Sequence, residues 1–426
     1  MEHKPKTHSL DRGKTVRQLY TERAKRLEDA MELKQPDRIP VQLPMSYMLA
    51  ELGGITNQEF LENPAKAQEL LEKAAVEFQP DSITGTFPSD PRPFLILGDR
   101  MTRWPGHGLE PNGQYQFAEH EFMKAEDYDK FLEDPGDWAI RVYLPRAFKA
   151  LEGFSLLPPL GTNLFGSYNV MNAASLADPT LLASFEAYYK VIKVQVKNGK
   201  IAVKNMKRMA ALGFPSSTLG GMNVEAPFDF MSDTLRGMRG IMLDILQRPE
   251  KLLAAEEKVA RIQLRWAIDY SRTTGLKAAL LPLHRGSDGF MSLRQFERFY
   301  WPQLKSVILT LIENGIRPGV FYEGVWDQRL KYLDELPKGK TVGWFQASDI
   351  FKVKEVLGDT MCIIGGMSNS MLQGSTTEKV REYTRKLCRV VGKGGGFIMD
   401  ASTGLDDVRP ENVRAFFDYT REYGVY

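Results

Sequence analysis

Two hydrophobic rhythms alternate along this chain. Val16 to Leu33 carries Leu19, Ala24, Leu27, Ala30 and Met31 at helical spacing, and Pro36 stops the run. Asp37, Arg38, Ile39, Pro40 and Val41 lead into a short strand finishing near Met45, with Ser46, Tyr47 and Met48 at its mouth. Helical spacing returns over Gln58–Glu62 and Ala65–Phe78, and Asp81–Gly85 reads as the next strand. From Asp137 the pattern predicts a helix to Leu151, a strand-like segment at Ser155–Leu160, a glycine-rich loop and a long helix from Pro179 to Leu212. Pro215–Gly221 follows as a strand, then the Met222–Phe228 loop, a helix capped by Ser232 or Asp233, and a helix from Pro249 to Thr274.

Ala278–Leu283 is a continuous apolar run too short for a helix, which fits a strand buried on both faces. It stops at His284, and Ser292 caps a helix whose apolar face is Phe296, Phe299, Tyr300 and Leu304. Further strands are predicted at Pro318–Tyr322, Thr341–Phe345, Met361–Ile364 and Gly396–Asp400, and helices at Asp327–Glu335, Ile350–Leu357, Thr377–Val391 and Glu411–Tyr423. That makes nine strand candidates, one of them accessory. Regular alternation of strand and helix requires a parallel sheet, and the repeat number favours a closed (β/α)8 TIM barrel with an N-terminal helical extension over a doubly wound sheet. No GxGxxG follows the first strand, which weighs against a dinucleotide site.

Two stretches break the rhythm. Residues 1–12 read as a disordered tail, leaving 13–426 as a single barrel domain. Thr86–Asp134 is rich in proline, glycine and aromatic residues and reads as an insertion or lid with a hairpin around Pro111–Gly113. His107 and His120 lie in it without ligand spacing, so surface or packing roles are expected for them.

Composition narrows the partner. The 56 basic and 54 acidic residues nearly cancel, so no overall field recruits nucleic acid or a membrane surface, and a small molecule is expected. Two cysteines, Cys362 and Cys388, exclude a disulfide framework. The polar start and the absence of a long apolar run lead to the expectation of a cytoplasmic protein.

In a barrel the carboxyl ends of the strands converge on one pocket. His284, Arg285 and Asp288 follow one strand, Tyr322 and Glu323 end the next, and Gln346, Asn369 and Asp400 mark the later ones, with Tyr47 at the first. A carboxylate directly after an apolar strand costs several kcal/mol to bury unpaired, so Glu323 and Asp400 should face a wet pocket or meet a cation. His284 and Arg285 are the cations at hand. The same residues also allow a plainer use, in which Arg285 ties the loop through Asp288 or pairs with Glu323. Aromatic residues near the strand ends, Tyr47, Tyr322, Trp326 and Trp344, suit a flat or apolar substrate.

Four separated stretches, in order, resemble the uroporphyrinogen decarboxylase superfamily: PDRIPV, APFDFMSDTLRGMRGIMLDILQRPEKL, FMSLRQFERFYWPQLKSVI and GKGGGFIMDASTGLDDVRPENVRAFFDY. The resemblance implies a (β/α)8 barrel with its site at the strand carboxyl ends. It also implies departures. Where the decarboxylase carries an arginine-rich loop after its first strand, this chain has QLPMSYM, so uroporphyrinogen is not the expected substrate. Thiol-type methyltransferases of the superfamily keep His-x-Cys-Gly after the strand matching Pro318–Tyr322 and another cysteine near the end, whereas Phe321, Glu323, Gly324 and Thr403 stand here. What remains is a harder O/N site using Glu323 with His284 or Asp400, suited to zinc or to no metal at all. The resemblance thus leads to a methyltransferase moving a methyl group between a small compound, aromatic or O-methylated, and a corrinoid (cobalamin-type) cofactor on a partner protein. Glu323, His284 and Asp400 would do the chemistry, and Arg285, Asp288, Tyr47, Tyr322, Gln346 and Asn369 would hold the substrate. The alternatives are a decarboxylase of a non-porphyrin acid gripped by Arg285, and a non-catalytic binding barrel.

Overall fold

In a computed structural model the described residues are 13–44, 46–84, 90–159, 176–216, 219 and 221–426. The expected tail, the glycine-rich loop before the long helix and parts of the Asp81–Gly85 and Pro215–Gly221 strands lie outside them. Two short parallel strands open the fold, β1 (Gln42–Pro44) and β2 (Ser82–Thr84). The insertion holds β3 (Thr102–Pro105), β4 (Gly108–Leu109) and β5 (Gln116–Phe117) in a small sheet of its own. The rest of the chain supplies β6 (Met222–Asn223), β7 (Ala278–Leu283), β8 (Arg317–Tyr322), β9 (Val342–Phe345), β10 (Cys362–Met367) and β11 (Phe397–Ala401). These six pair in chain order, all parallel. Parallel bridges from Val41 to Met399 and from Ile83 to Ser216 set β1 beside β11 and β2 beside the segment leading to β6. This is the α/β arrangement of the (β/α)8 class, with helices between successive strands.

Of the nine strand candidates, Ser155–Leu160 fails, since Lys149–Leu156 is a 3-10 helix packed on the long helix, and Pro215–Gly221 shows only a bridge at Ser216 among its described residues, the strand there being β6 at Met222–Asn223, read from the sequence as loop. In the 3-10 helix the apolar residues Leu151 and Phe154 fill a cluster with Leu97, Leu181 and Val191, which a short run can do equally well as a strand or a tight helix. From Asp90 on, the insertion is held by specific contacts. Trp104 sits between Phe94 and Tyr115 with ring centroids at 5.1 and 5.7 Å, and Gly113 N–H closes the expected turn on Glu110 O at 2.8 Å.

Side chains alternate across each strand. One face, carrying Val342, Cys362, Ile364 and Ile398, meets Leu27, Ala30 and Met31 of helix α1 (Val16–Met31), so the N-terminal extension packs across the base of the sheet. The other face, with Leu281, Leu283, Val320 and Phe345, packs under the surrounding helices. Both cysteines are buried as apolar side chains, and burial pushes each thiol up to about 12. No helix among the described residues is long and apolar enough to cross a membrane.

The extension is locked by charge. Asp81, fully buried just before β2, accepts from Arg26 of α1, from both terminal nitrogens of Arg38 at 2.8 and 2.9 Å, and from Val41 N–H at 2.9 Å. Burial would raise its pKa, but Arg38 and Arg26 hold the carboxylate well below the ordinary range. Removing one partner of such a cluster strands the others in a dry interior. Asp81→Ala should therefore cost roughly 3–5 kcal/mol in urea unfolding, the typical range for a broken buried pair; a loss under about 1 kcal/mol would mean that water reaches the arginines.

Candidate active site

β7 and β8 end in register, Leu283 beside Tyr322, so His284 and Glu323 leave the sheet side by side. By alternation His284 lies on the face of Leu280, and Glu323 on the face of Phe321, whose ring is 4.6 Å from Trp344. A third element aims at the same point. The helical turn Pro227–Asp229 runs on as a π-helical stretch, Phe230–Arg236, a widened geometry common at functional sites. Asp229 and Asp233, four residues apart, share the face that meets the β7 loop.

The contacts are specific. Asp229, 1% exposed, accepts from the backbone N–H of His284 at 2.9 Å, from that of Arg285 at 3.0 Å and from the Tyr300 hydroxyl at 2.7 Å. Asp233 receives His284 Nδ1 at 2.6 Å and Arg285 Nε at 2.7 Å. His284 Nε2 in turn faces Glu323 Oε2 at 3.5 Å. The two side chains are 41% and 46% exposed, so the ring is gripped from behind and open in front. Gly286 is a matter of close approach rather than flexibility: a Cβ there would stand 2.3 Å from Trp326 and 2.5 Å from Tyr300.

Charge is concentrated at this point. Burial lowers the His284 pKa, but the Asp233 hydrogen bond and the charges of Asp229, Asp233 and Glu323 outweigh it and raise it to about 9. Asp233 is held below the usual range by His284 and Arg285 despite its burial. Burial, then the neighbouring Asp233, raises Asp229 to about 6; burial, then Asp229 and Asp233, raises Glu225 to about 7. A charged imidazole and a carboxyl near neutrality within one cluster are the components of acid–base chemistry.

The expected residues divide. Glu323 and His284 come together as foreseen. Arg285 pairs with Asp233 and, at 3.7 Å, with Glu119 of the insertion, and not with Glu323 or Asp288. Asp288 is engaged by Arg329 at 2.7 Å and by Gln328 N–H at 3.0 Å, which ties the β7 loop to the β8 loop. Tyr322 is a correction as well. It is fully buried on the helix side of β8, stacked on Phe345 at 4.6 Å, because its parity is opposite to that of Glu323.

Among the described residues Asp400 meets neither a wet pocket nor a cation. It is fully buried on the face of Ile398, its carboxylate oxygens lack a partner in ordinary hydrogen-bond geometry among the described residues, and burial drives its pKa well above the usual range. A neutral acid avoids the cost of a buried charge, which is why no counter-ion is needed. Gln346 accepts from Gly324 N–H at 2.8 Å and so braces the loop carrying Glu323. Asn369 donates to Gly404 O at 2.6 Å. Tyr47 accepts from Tyr115 N–H at 3.2 Å and lines a cavity of 580 Å³ with Glu51, Asn57, Gln114 and Asp406.

Glu225, Asp229 and Tyr300 were not singled out from the sequence, and Asp233 was read only as a helix cap. The signal available was FDFMSD, two acids at helical spacing directly after a strand loop. As a metal site the pair is incomplete: among the described residues no group of three or more His, Cys, Asp or Glu side chains could hold an ion. His284 Nδ1 is bonded to Asp233, the buried thiols are remote from the thiolate state, and the donor set that catalytic zinc uses, three protein ligands, is not assembled here.

The His284 pKa has a direct consequence for stability. Since about 9 lies above the ordinary 6.5, the stabilisation from its ion pairs is complete below pH 6.5 and is lost as the pH rises through 9. Urea midpoints of the native chain should converge on those of His284→Gln across that interval; a gap that stays constant with pH would show that the ring is not charged.

Comparisons with known proteins agree with this architecture. No curated protein matches the chain by sequence. Among solved structures, a methyltransferase from Methanosarcina mazei superposes with a TM-score of 0.60 at 13% identity, over 94% of this chain and 98% of that one, which shows a shared fold. A B12-independent methionine synthase from Shewanella sp. W3-18-1, in complex with selenomethionine, covers 47% of this chain and 59% of its own at 12% identity, and its TM-score of 0.31 carries no argument. The uroporphyrinogen decarboxylase (URO-D) family model matches residues 176–423, more than half of the chain and all of β6 to β11. The protein therefore belongs to the uroporphyrinogen decarboxylase family.

Proposed function

We propose that this protein is a methyltransferase that moves a methyl group between a small O-methylated compound and a corrinoid carried by a partner protein. The observation that carries the reading is His284, held as a cation between Asp233 behind it and Glu323 in front, at the open edge of the sheet. Cleavage of a methyl–oxygen bond leaves an alkoxide or phenoxide that needs a proton as it departs. His284 Nε2–H can give that proton. Asp233 on Nδ1 fixes the ring and stabilises its charged form, and Glu323, on the exposed side, can return the proton from solvent. Tyr115, whose own pKa burial and then Glu323 push up to about 12, stays a neutral hydroxyl beside the site.

The corrinoid would supply the nucleophile that accepts the methyl group. It fits the open side of the site, where His284 and Glu323 are both more than a third exposed. Zinc does not fit the donor set, and no step is assigned to it. The acid-rich surroundings favour this reading over decarboxylation: the charge of Arg285 is already met by Asp233 and Glu119, which leaves little to attract a substrate carboxylate. The methyltransferase fold neighbour is consistent with it.

The test is methyl transfer from methoxylated compounds to reduced free cobalamin, followed by its absorbance. Glu323→Gln keeps shape and should lower the rate roughly 10²-fold or more while melting stays near that of the native chain, and His284→Gln should lower it as far when assayed below its own, lower melting temperature. Native turnover in Glu323→Gln would reduce that residue to a brace for His284, and native turnover in both would remove the mechanism.

A further inference from the structure

Helix α2 (Pro179–Ala211) has 33 residues, a length of about 50 Å at 1.5 Å per residue. Its inner side is accounted for: Leu181 and Val191 join Leu97, Leu151 and Phe154 in a closed cluster, and Ser184 and Met209 are buried with them along the same helix face. Its outer side, apart from Phe185, whose ring centroid lies 5.1 Å from that of Phe154, is not covered by any of the described residues. Leu182, Phe185, Tyr189 and Ile192 continue through Val196 to Val203 and Met206 at alternating steps of three and four, with Gly199 in the remaining place. Those seven side chains are 44% to 57% exposed.

Steps of three and four average 3.5 residues, the repeat that keeps one seam facing a second helix as the two wind around each other. A helix that only covers its own core needs no second seam of this kind. From Tyr189 onward, moreover, every seam position is followed at once by a lysine: Lys190, Lys193, Lys197, Lys200, Lys204 and Lys207. At 100° per residue all six fall on one flank of the seam. The other flank carries the uncharged Tyr188, Gln195 and Ala202. No salt bridge joins any of the six lysines to a carboxylate among the described residues; Lys193 lies over the Tyr189 ring at 4.3 Å. In a chain whose charges otherwise almost cancel, this is a concentrated ridge without a salt bridge among the described residues.

We propose that the outer face of α2 docks an amphipathic helix of another protein, one whose apolar seam is bordered by glutamate or aspartate. Charge complementarity selects this occupant. A second copy of α2 would bring its own six lysines into the same contact with only Glu186, at the head of that flank, to set against them. An anionic lipid surface is met by a broader apolar face, whereas this seam is the narrow a/d type with basic residues on one side only.

The test uses the full chain and two synthetic four-heptad peptides with identical leucine and isoleucine seams, one with glutamate at the flanking positions and one with lysine. Calorimetry should show one glutamate peptide bound per chain, at least tenfold tighter than the lysine peptide, weakening as salt rises. K193E/K200E/K207E should reverse that preference. I192E/V196E, at positions already half exposed, should abolish binding of either peptide without changing the melting curve. The proposal is overturned if the peptides bind equally or not at all. It is also overturned if sedimentation shows the free chain to be a dimer that I192E/V196E dissociates, or if phosphatidylcholine–phosphatidylglycerol vesicles bind the chain through this face in place of the peptide.

Discussion

The active end of this molecule depends on one buried carboxylate. A parallel strand that stops at a wet edge leaves backbone N–H groups pointing away from any partner strand, and a loop that begins there is free to splay. Asp229 takes the N–H groups of both His284 and Arg285 and the hydroxyl of Tyr300, joining the β7 loop to two helices through a single side chain. Each buried donor left unmet would cost about 1–3 kcal/mol, so the loop has one conformation to fall into. The close seat of Gly286 under Trp326 and Tyr300 belongs to the same construction, since any side chain there would push Tyr300 off Asp229.

From that anchor the electrostatics follow. Four acids, Glu225, Asp229, Asp233 and Glu323, lie within electrostatic reach of one imidazole, and not all of them can be fully charged at once. The proton goes where it relieves most repulsion, so His284 is held charged while Glu225 and Asp229 move up toward neutrality. Arg285 shares the load on Asp233 and is thereby withdrawn from the substrate side. The site is best described as an acid-lined cradle for one cation. That character distinguishes it from a carboxylate-binding pocket, which would need spare arginines.

The insertion and the N-terminal extension serve opposite ends of the sheet. α1 seals the base, fixed by Arg26 and Arg38 on Asp81. The insertion reaches the mouth, where Glu119 approaches Arg285 and Tyr115 bonds Tyr47. Among the described residues, His284 on the β7 loop and Glu323 on the β8 loop stay accessible at the strand-end face.

The sequence alone determined the β-then-α alternation, the strand positions of the C-terminal half and the placing of His284 and Glu323 at the ends of successive strands. Hydrophobic periodicity is a local quantity, and adjacent strand ends in a parallel sheet follow from it. Where periodicity is short it misleads. Ser155 and Leu156, read as the start of a strand, end a tight helix, and Tyr322, one residue before Glu323, faces the helices because alternation sends neighbours to opposite sides. Asp229, Asp233, Glu225 and Tyr300 were decided by the tertiary structure alone. Their roles depend on which loop a helix turn meets more than fifty residues away, and no local pattern encodes that. Asp400 shows the same limit from the other side: an acid after an apolar strand reads as a charge in need of a partner. Only the packed interior reveals that burial has removed the charge, because a pKa is set by surroundings that the chain acquires on folding.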